Sequence, residues 1–266
     1  MVKQGSEIKV STIIPAFKRQ KNTNRASLSA KEQTRPDMEV IVVDDHSPTA
    51  LTCPDGVELL RNEENLGAPA SRNRGARHAE GEYLCFLDND DTLRPEKIEK
   101  QLKKFEEVGE DIGVVTCDVA YHRSDIKEVK KNRARGDIYE DILKSYVVHG
   151  TLSMLIRRDV FEEIGGFDPD LPANQEYDLM IRLAEVTKFD YIPEVLADVY
   201  EGDDQISFNF DKKVRATKML WEKHEDRFKR TGTYAYNWFR FSILLFVFWF
   251  GKLFGKTPYS YLRKIV

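Results

Sequence analysis

Short apolar runs alternate with longer polar stretches through the first half of the chain. The runs are rich in β-branched residues, which is typical of strands, and the polar stretches are long enough to form helices. The predicted strands are residues 10–14, 39–43, 57–60, 83–87 and 112–117. The predicted helices are residues 20–34, 67–80 and 95–108.

Strands that alternate with helices predict an α/β fold with an open, mainly parallel sheet and helices on both faces. The second half is less regular: we predict strands at 152–156 and 196–200 and helices at 158–164, 175–186 and 211–228. No internal repeat or low-complexity linker divides the chain. We therefore expect one domain over residues 1–230, with halves of about 1–118 and 119–230, and a separate C-terminal helix in 231–266.

Polar clusters follow three of the predicted strands. They are Pro15-Ala16-Phe17, Asp44-Asp45-His46-Ser47 and Asp88-Asn89-Asp90-Asp91. The carboxyl ends of parallel strands lie at the same edge of an open sheet, where ligands bind. The order of elements therefore predicts that these clusters meet in one site.

The third cluster places three carboxylates within four positions directly after an apolar strand, in Leu-Cys-Phe-Leu-Asp-Asn-Asp-Asp-Thr-Leu (84–93). Carboxylates this close repel one another, and each raises the pKa of its neighbour. A hard divalent cation with oxygen ligands would relieve that repulsion. The alternative is a solvated turn, for which Asn and Asp are common residues. The convergence of three clusters on one edge favours the ligand site.

Charge and composition argue against several classes of function. Lys and Arg number 41 against 45 Asp and Glu, for a net charge of −4, so no overall positive charge indicates a nucleic acid partner. Cys53, Cys85 and Cys117 are not spaced as metal ligands. The N-terminal residues contain no apolar signal sequence, so we expect a cytoplasmic protein.

The C-terminal part contains an uncharged apolar run at 241–251. As a helix this run would cover roughly 17 Å, which is short of the roughly 30 Å hydrocarbon core of a membrane. Within it, Ile243 to Phe250 is apolar all round, so one buried stripe does not account for it. Trp238 and Trp249 lie near its ends, and the cations Lys252, Lys256, Arg263 and Lys264 follow.

We therefore expect this C-terminal helix to hold the protein on the cytoplasmic face of a membrane by shallow insertion. Two alternatives stay open at this point. The helix forms the interface of a homodimer, or it crosses the membrane as a tilted span from Trp238 to Phe254 with flanking cations reaching outward.

The acid cluster is compatible with two known families. Asp88, Asp90, Thr92 and Leu93 resemble the motif of haloacid dehalogenase-like phosphohydrolases, in which Asp88 would be the nucleophile. That motif usually ends the first strand of the fold, whereas several elements precede it here. The further acids, Ser or Thr and Lys that such an enzyme needs are not evident between residues 112 and 200.

The better resemblance is to the inverting glycosyltransferases of family two, which have the GT-A fold. Six segments resemble that family in the family's own order, over roughly residues 8–205. They are Val-Ser-Thr-Ile-Ile-Pro-Ala-Phe (10–17), Val-Ile-Val-Val-Asp-Asp-His-Ser (40–47), Asn-Leu-Gly with Ala-Ser-Arg-Asn-Arg-Gly (65–67 and 70–75), Phe-Leu-Asp-Asn-Asp-Asp (86–91), Gly-Gly-Phe-Asp (165–168) and Gln-Glu-Tyr-Asp-Leu-Met-Ile-Arg-Leu (175–183).

The resemblance implies a GT-A-like sheet and transfer of a sugar, with inversion, from a nucleotide-diphosphate sugar. The acceptor would be a glycan or a lipid-linked molecule, in the assembly of a surface polysaccharide, glycolipid or glycoprotein. The implied cofactor is Mn²⁺ or Mg²⁺. A non-catalytic domain that binds a sugar nucleotide or serves as a scaffold is the alternative from a different functional class.

The resemblance also implies the donor site. Asp90 corresponds to the metal ligand, and Asp88, beside Asn89, would contact the ribose or share the metal. Asp45 would bind the nucleobase and Arg72 the diphosphate. The wall of the base pocket would be formed by Pro15, Ala16 and Phe17. Asp44 either shares this role or accepts hydrogen bonds from loop amides, and Asp91 is expected to cap the turn that follows.

Glu176 and Asp178 compete for the role of the base that deprotonates the acceptor. Two residues apart on a helix, they point roughly 200° away from each other, so only one faces the cleft. Asp178 is spaced to pair with Arg182. Glu176 lies at the helix start, where the dipole favours a carboxylate. We therefore assign the base to Glu176.

The sequence departs from the family in two places. Where members often have a His near residue 200, this chain has Glu201, Asp203 and Asp204 as possible substitutes. Lys18 stands where Asn is common. His149 is a candidate sugar contact, although an isolated His is more often structural.

Overall fold

The computed structural model describes residues 8–123, 126–201 and 210–254. The strands in these ranges are β1 Val10–Ala16, β2 Met38–Asp44, β3 Glu58–Arg61, β4 Tyr83–Phe86, β5 Thr92–Leu93, β6 Ile112–Arg123, β7 Ile126–Lys130, β8 Leu155–Arg157 and β9 Lys188–Glu201.

The helices are α1 Gln20–Lys31, α2 Ala68–His78, α3 Lys97–Glu107, α4 Tyr139–Lys144, α5 Arg158–Glu163, α6 Gln175–Val186, α7 Phe210–Arg230 and α8 Tyr234–Phe254. A 3₁₀ turn spans Thr151–Ser153. The predicted elements of the first half are therefore present with small shifts of their ends.

The nine strands form one sheet in the order β3-β2-β1-β4-β8-β6-β9-β5, with β7 paired to β6. The first four strands of that order are parallel. β8 then pairs antiparallel to both β4 and β6, and β6 pairs parallel to β9. The sheet is thus mixed rather than mainly parallel. The expectation was wrong for the second half because β7 and β8 join the sheet antiparallel, β7 as a hairpin with β6.

Two strands are longer than predicted. β6 continues past Cys117 to Arg123, and β9 begins at Lys188 rather than near 196. The polar residues of these extensions have partners from other parts of the chain: Asp118 accepts the amide of Asn132, just after β7, at 2.8 Å, and His122 contacts Asp198 of β9 at 2.7 Å. Both strands therefore continue beyond their apolar runs because contacts with distant residues stabilise the polar parts.

The core lies on both faces of the sheet. Successive side chains of a strand point to opposite faces. Ile13, Ile41 and Val43 accordingly join one apolar cluster, while Ile14 and Val42 join another. Helices cover both faces, as predicted. α2 packs so closely on β1 that a Cβ at Gly75 would lie 2.5 Å from Ile13 Cγ2.

A buried charge cluster joins α6 to α7. The fully buried carboxylate of Asp178 accepts hydrogen bonds from Arg182 (2.6 and 2.9 Å), from Lys223 (2.9 Å) and from His224 (2.9 Å). Burial alone would raise the pKa of Asp178, but these partners together hold it well below the ordinary value. Arg182 also donates to the carbonyls of Ile164 and Gly166, at 2.8 and 2.7 Å.

The C-terminal apolar run forms α8, which packs one side against the domain. Phe241 is buried against Trp221 and Phe228, and Val247 and Phe248 are buried further along the helix. Across the ranges that the structure describes, every helix falls short of the length and apolar content needed to cross a membrane. The tilted span from Trp238 to Phe254 is therefore wrong as an interpretation. Lys256, Arg263 and Lys264 lie outside the described residues.

We expect Asp178→Asn to lower the free energy of unfolding by about 3–5 kcal/mol, because Arg182 and Lys223 then lose the fully buried carboxylate that they share. Urea denaturation followed by circular dichroism measures the change. The control is Asp159→Asn, which removes an exposed partner of Arg157 and should cost no more than about 1 kcal/mol. Equal effects of the two substitutions would contradict a structural role for Asp178.

Candidate active site

The segments that follow β1, β2 and β4 meet at one edge of the sheet, as the order of elements predicts. β1 lies between β2 and β4, parallel to both. The amide of Asp45 donates to the carbonyl of Ala16 at 2.8 Å, and the amide of Leu87 donates to the carbonyl of Ile13 at 3.0 Å. These bonds keep the residues that follow β2 and β4 aligned with β1.

Both acids at the end of β2, Asp44 and Asp45, are buried and bonded to neighbouring loops. The Asp44 carboxylate accepts the amides of Ser47 (2.9 Å) and Leu51 (3.3 Å) and pairs with Arg61. Burial would raise the pKa of Asp44, but the bonds from Ser47 and Leu51 and the charge of Arg61 lower it overall. Asp44 therefore shapes the loop, which is one of its two expected roles.

Asp45 organises the turn that begins α2. Its Oδ1 accepts Asn62 Nδ2 at 2.7 Å and the amide of Leu66 at 2.9 Å, while Oδ2 accepts the amide of Gly67 at 2.8 Å. The residue is only 4% exposed. Its predicted contact with a nucleobase stays a prediction, and any such contact uses the free acceptor capacity of Oδ2.

The end of β1 and the residues after it form the rim beside these acids. Pro15 and Ala16 are buried, whereas Phe17 is 40% exposed. Lys18 and Arg19 both have left-handed backbone conformations, with φ of 59° and 55°. Because such backbone is uncommon outside glycine, this turn is held by tertiary contacts, among them the Lys18 amide on Ser47 Oγ at 2.7 Å.

Arginines neutralise the acid cluster. Asp88 pairs with Arg72, and Asp90 Oδ2 accepts Arg19 Nη1 at 2.8 Å. Burial, followed by the charge of Asp88, raises the pKa of Asp90, and Arg19 opposes that rise. Asn89 donates to Thr23 Oγ1 at 3.2 Å. The crowding inferred from the sequence is therefore present, with guanidinium groups compensating part of it.

Asp91 does not cap the turn that follows it, contrary to expectation. It is 5% exposed, and its Oδ1 accepts the amide of Tyr200 on β9 at 3.0 Å. Burial, with the charges of Asp88 and Asp90, raises the pKa of Asp91 well above its ordinary value. Asp91 therefore ties the acid cluster to the end of β9.

A divalent cation fits this edge only with help from a bound molecule. Among the residues described, no three His, Cys, Asp or Glu side chains are arranged to hold a metal ion. Asp88 and Asp90 supply two carboxylates, and Ca²⁺ or Mg²⁺ sites need about six oxygen ligands. The remaining oxygens would come from water and from a ligand such as a diphosphate. The side chain of Glu201 and residues Asp203 and Asp204 lie outside the described part.

Arg72 is a buried cation with unused donors. Its side chain is 4% exposed and one nitrogen, Nη2, pairs with Asp88, while Nε and Nη1 are buried without a hydrogen-bond partner. Its guanidinium lies over the ring of Phe167, 5.1 Å from the centroid. Because a buried donor without a partner is costly, two such donors on one arginine indicate a site for an anion.

The position of Phe167 is set by Asn73, the residue after Arg72. Asn73 Nδ2 donates to the carbonyl of Phe167 at 2.7 Å, and Oδ1 accepts its amide at 2.8 Å. Gly166 has a φ of 72°, and a Cβ there would lie 2.6 Å from Asn73 Oδ1. Only glycine fits between these groups, so the Gly-Gly-Phe turn holds the ring beneath Arg72.

Glu176 faces the same group of charges. It follows Asn174, a left-handed residue, at the start of α6, and its Oε2 accepts the hydroxyl of Tyr146 at 3.3 Å. Burial, followed by the charge of Asp88, raises the pKa of Glu176, while Arg72 and Tyr146 oppose the rise. Asp178 points instead to α7, so the two acids lie on different sides of the helix, as predicted.

Sequence reasoning missed three residues of this site. Arg19 contacts Asp90, Tyr146 contacts Glu176, and Arg25 donates to the carbonyl of Asp90 while lying over the ring of Tyr200, 4.3 Å from its centroid. The sequence offered one indication of Arg19, which lies two residues after the Pro-Ala-Phe segment. Tyr146 had none. His149, the candidate sugar contact, lies with its ring 5.9 Å from that of Tyr146.

Comparison with known proteins supports the family that the motifs indicate. The sequence profile described as glycosyl transferase family 2 matches residues 11–165. This range includes the three loops of the sheet edge, Arg72 and Tyr146, and it ends before Glu176.

Two bacterial relatives are similar over most of this chain. One is an uncharacterized glycosyltransferase of Haemophilus influenzae, 31% identical over 192 residues, which cover 68% of this chain and 63% of that protein. The other is the uncharacterized glycosyltransferase YwdF of Bacillus subtilis, 27% identical, with 82% of this chain and 84% of that protein covered. The chain thus spans less than two thirds of the Haemophilus relative.

Solved structures of low sequence identity share the fold. A mannosyltransferase from Pyrobaculum calidifontis, in complex with GDP-Man and Mn²⁺, superposes with a TM-score of 0.64 at 18% identity and covers 97% of this chain and 79% of that one. Staphylococcus aureus TarS residues 1–349, in complex with UDP, superpose with a TM-score of 0.62 at 16% identity and cover 80% of this chain and 65% of that one. With a family profile over more than half of its length and a GT-A-like fold, the chain belongs to glycosyl transferase family 2.

Proposed function

We propose that this protein transfers a sugar from a nucleotide-diphosphate sugar to a hydroxyl acceptor, with inversion at the anomeric carbon. The observation that carries the proposal is Arg72, whose buried guanidinium has two unpaired donors beside the carboxylates Asp88 and Asp90. A diphosphate supplies the acceptor oxygens that these donors lack, and a planar guanidinium suits it.

The donor would extend along the edge of the sheet from Arg72 to the loop after β2. Asp45 Oδ2 would accept a ring N–H of the base, next to the wall formed by Pro15, Ala16 and Phe17. Structural neighbours bind UDP, UDP-GlcNAc and GDP-Man. These complexes support a nucleotide sugar as the ligand class, with either a uracil or a guanine base.

Asp90 and Asp88 would hold Mn²⁺ or Mg²⁺ together with the diphosphate. The bound cation would neutralise negative charge that develops on the leaving group. Arg72 and Arg19 add positive charge at the same place, and Arg25 holds the backbone of Asp90. The carboxylates are thus kept in position before any ligand arrives.

Glu176 would act as the base in a single displacement. The acceptor oxygen forms a bond to the anomeric carbon, its proton moves to a Glu176 oxygen, and the bond to the diphosphate breaks with its electron pair on the leaving group. The raised pKa of Glu176 suits it to accept a proton. Asp178 is unsuited because hydrogen bonds from Arg182, Lys223 and His224 hold it ionised in the interior.

The acceptor would be a glycan or a lipid-linked molecule, in the assembly of a surface polysaccharide, glycolipid or glycoprotein. The phosphohydrolase alternative is not favoured, because the family match covers the acid cluster and Asp88 follows the fourth strand rather than the first. A purely non-catalytic domain is not favoured either, since a candidate base faces the candidate donor site.

A screen of purified protein against common nucleotide sugars tests the function. We expect nucleoside diphosphate to be released from one UDP- or GDP-sugar in the presence of Mn²⁺ or Mg²⁺, and the activity to be lost with a chelator and restored by the ion. Nuclear magnetic resonance of the product should show the inverted anomer. Activity that resists chelation would refute the metal role, and phosphate release from monoesters would favour the phosphohydrolase.

Replacing the base should stop transfer without preventing donor binding. We expect Glu176→Gln to lower kcat by a factor of about 10²–10⁴, the usual contribution of a general base. The dissociation constant for the donor, measured by calorimetry, should change little. Glu163→Gln, an exposed substitution on α5, is the matched control. A Glu176→Gln enzyme with normal turnover would rule out the assignment.

The pH dependence of kcat/KM tests whether Tyr146 stabilises the ionised form of Glu176. Its hydroxyl stabilises ionised Glu176, so Tyr146→Phe should raise the pKa of Glu176 further. Because the base must be unprotonated, activity falls as pH drops through that pKa. The acid limb of kcat/KM should therefore move to higher pH in the variant. Tyr139→Phe removes a comparable bond, to Glu185 at 3.4 Å, and should leave the limb in place.

A further inference from the structure

One side of α8 presents large apolar residues to solvent. Trp238, Phe239, Phe246, Trp249 and Leu253, here called the aromatic face, are each 54–62% exposed. Phe239, Phe246, Trp249 and Leu253 recur at intervals of three, four or seven residues, so they line one stripe of the helix. A stripe of exposed apolar side chains on this scale marks an interaction surface.

The opposite side of α8 fixes the orientation of the aromatic face. Asn237, Phe241, Val247 and Phe248 are buried there, and Phe241 belongs to the main core. Arg240 Nη1 donates to the hydroxyl of Tyr177 at 2.9 Å, which ties α8 to α6. The aromatic face is therefore presented by a helix packed against the domain.

The charges around this helix favour an anionic partner. Residues 231–266 contain five cations, Arg240, Lys252, Lys256, Arg263 and Lys264, and no Asp or Glu. The whole chain has a net charge of −4, so positive charge is concentrated at this end. Lys252 pairs with Asp211 of α7 at 2.6 Å, which leaves an excess of four cations. A two-fold dimer through the aromatic face would bring two such segments together, and like charges at an interface are unfavourable.

We propose that the aromatic face of α8 binds the surface of an anionic membrane. The helix lies in the plane of the interface, with the aromatic face in the boundary between head groups and acyl chains, and the excess of positive charge in the segment attracts anionic head groups. Trp238 and Trp249, about three turns apart along the stripe, occupy the depth that tryptophan prefers in membranes. This mode needs no membrane-spanning helix.

The surface is independent of the proposed reaction, but the helix that carries it is bonded to α6, which bears the candidate base. Tyr177, which receives the bond from Arg240, directly follows Glu176 in α6. A protein attached through α8 would thus hold its candidate base close to the membrane, where a lipid-linked acceptor would be found. Membrane binding itself requires neither donor nor acceptor, so its test stands apart from the tests of transfer.

Cosedimentation of the full chain with sucrose-loaded vesicles tests the proposal. The vesicles contain phosphatidylcholine alone or with 30 mol% phosphatidylglycerol, a fraction chosen as roughly physiological in anionic charge. We expect at least tenfold stronger binding to the anionic vesicles and a further loss of binding as salt is raised. The double variant Phe246→Ser with Trp249→Ser should reduce binding at least tenfold.

A matched control separates this face from general surface hydrophobicity. Leu59 on β3 and Val129 on β7 are also exposed apolar residues. The double variant Leu59→Ser with Val129→Ser should bind vesicles as the unchanged protein does. Because only exposed side chains are replaced, we expect both double variants to fold, and circular dichroism of each variant checks this.

Fluorescence locates the contact within the chain. The protein has three tryptophans, Trp221, Trp238 and Trp249, of which Trp221 packs against the core. Lipids brominated on their acyl chains should quench the emission of Trp238 and Trp249. The variant Trp238→Phe with Trp249→Phe should retain vesicle binding but show little quenching.

Three results would overturn the proposal. They are no binding to anionic vesicles, binding that the Phe246 and Trp249 substitutions leave unchanged, and undiminished quenching when only Trp221 remains. A stable homodimer in solution that the Phe246 and Trp249 substitutions convert to monomer, together with absence of vesicle binding, would assign the aromatic face to self-association instead.

Discussion

Negative charge crowded at one edge of a parallel sheet is the constraint on which the site depends. β1 lies between β2 and β4, so the acids that follow these strands necessarily approach one another. Asp44 and Asp45 are satisfied by loop amides, whereas Asp88 and Asp90 rely on arginines from α2 and from the turn after β1. Two donors of Arg72 are left without a partner by this arrangement, and the proposed diphosphate site is built on them.

The two sides of helix α6 have different roles: one is bonded to the interior, and the other faces the candidate site. Asp178 is enclosed by hydrogen-bond donors that join α6 to α7, and Arg182 extends that cluster to the turn before Phe167. Glu176, half a turn away, faces the charges of the candidate site. The buried cluster therefore fixes the orientation of the helix, and the helix in turn holds Glu176. The same cluster anchors α7, on which α8 packs.

The apolar run near the C-terminus does not by itself reveal what covers it. Its length excludes an ordinary membrane span, and its lack of polarity on any side indicates a second apolar partner. The structure assigns one side of α8 to the protein interior and leaves the other exposed. Residues 231–266 carry five cations and no acid, and this excess of charge is the basis for proposing anionic lipid, rather than a second copy of the segment, as that partner.

The sequence by itself determined the strands and helices of the first half, the edge at which their acids meet, and the assignment of Glu176 and Asp178 to opposite sides of one helix. These follow from local apolar pattern and fixed helical and strand periods. Only the tertiary structure decided that the second half of the sheet is mixed, that β6 and β9 are long, and that Asp91 bonds to β9. It alone placed Arg19, Arg25 and Tyr146 in the site. Each of these depends on a partner distant in the chain: Arg19 lies 71 positions from Asp90, and Tyr146 lies 30 from Glu176. Local pattern carries no information about such pairings, because they form only when the strands and helices pack together.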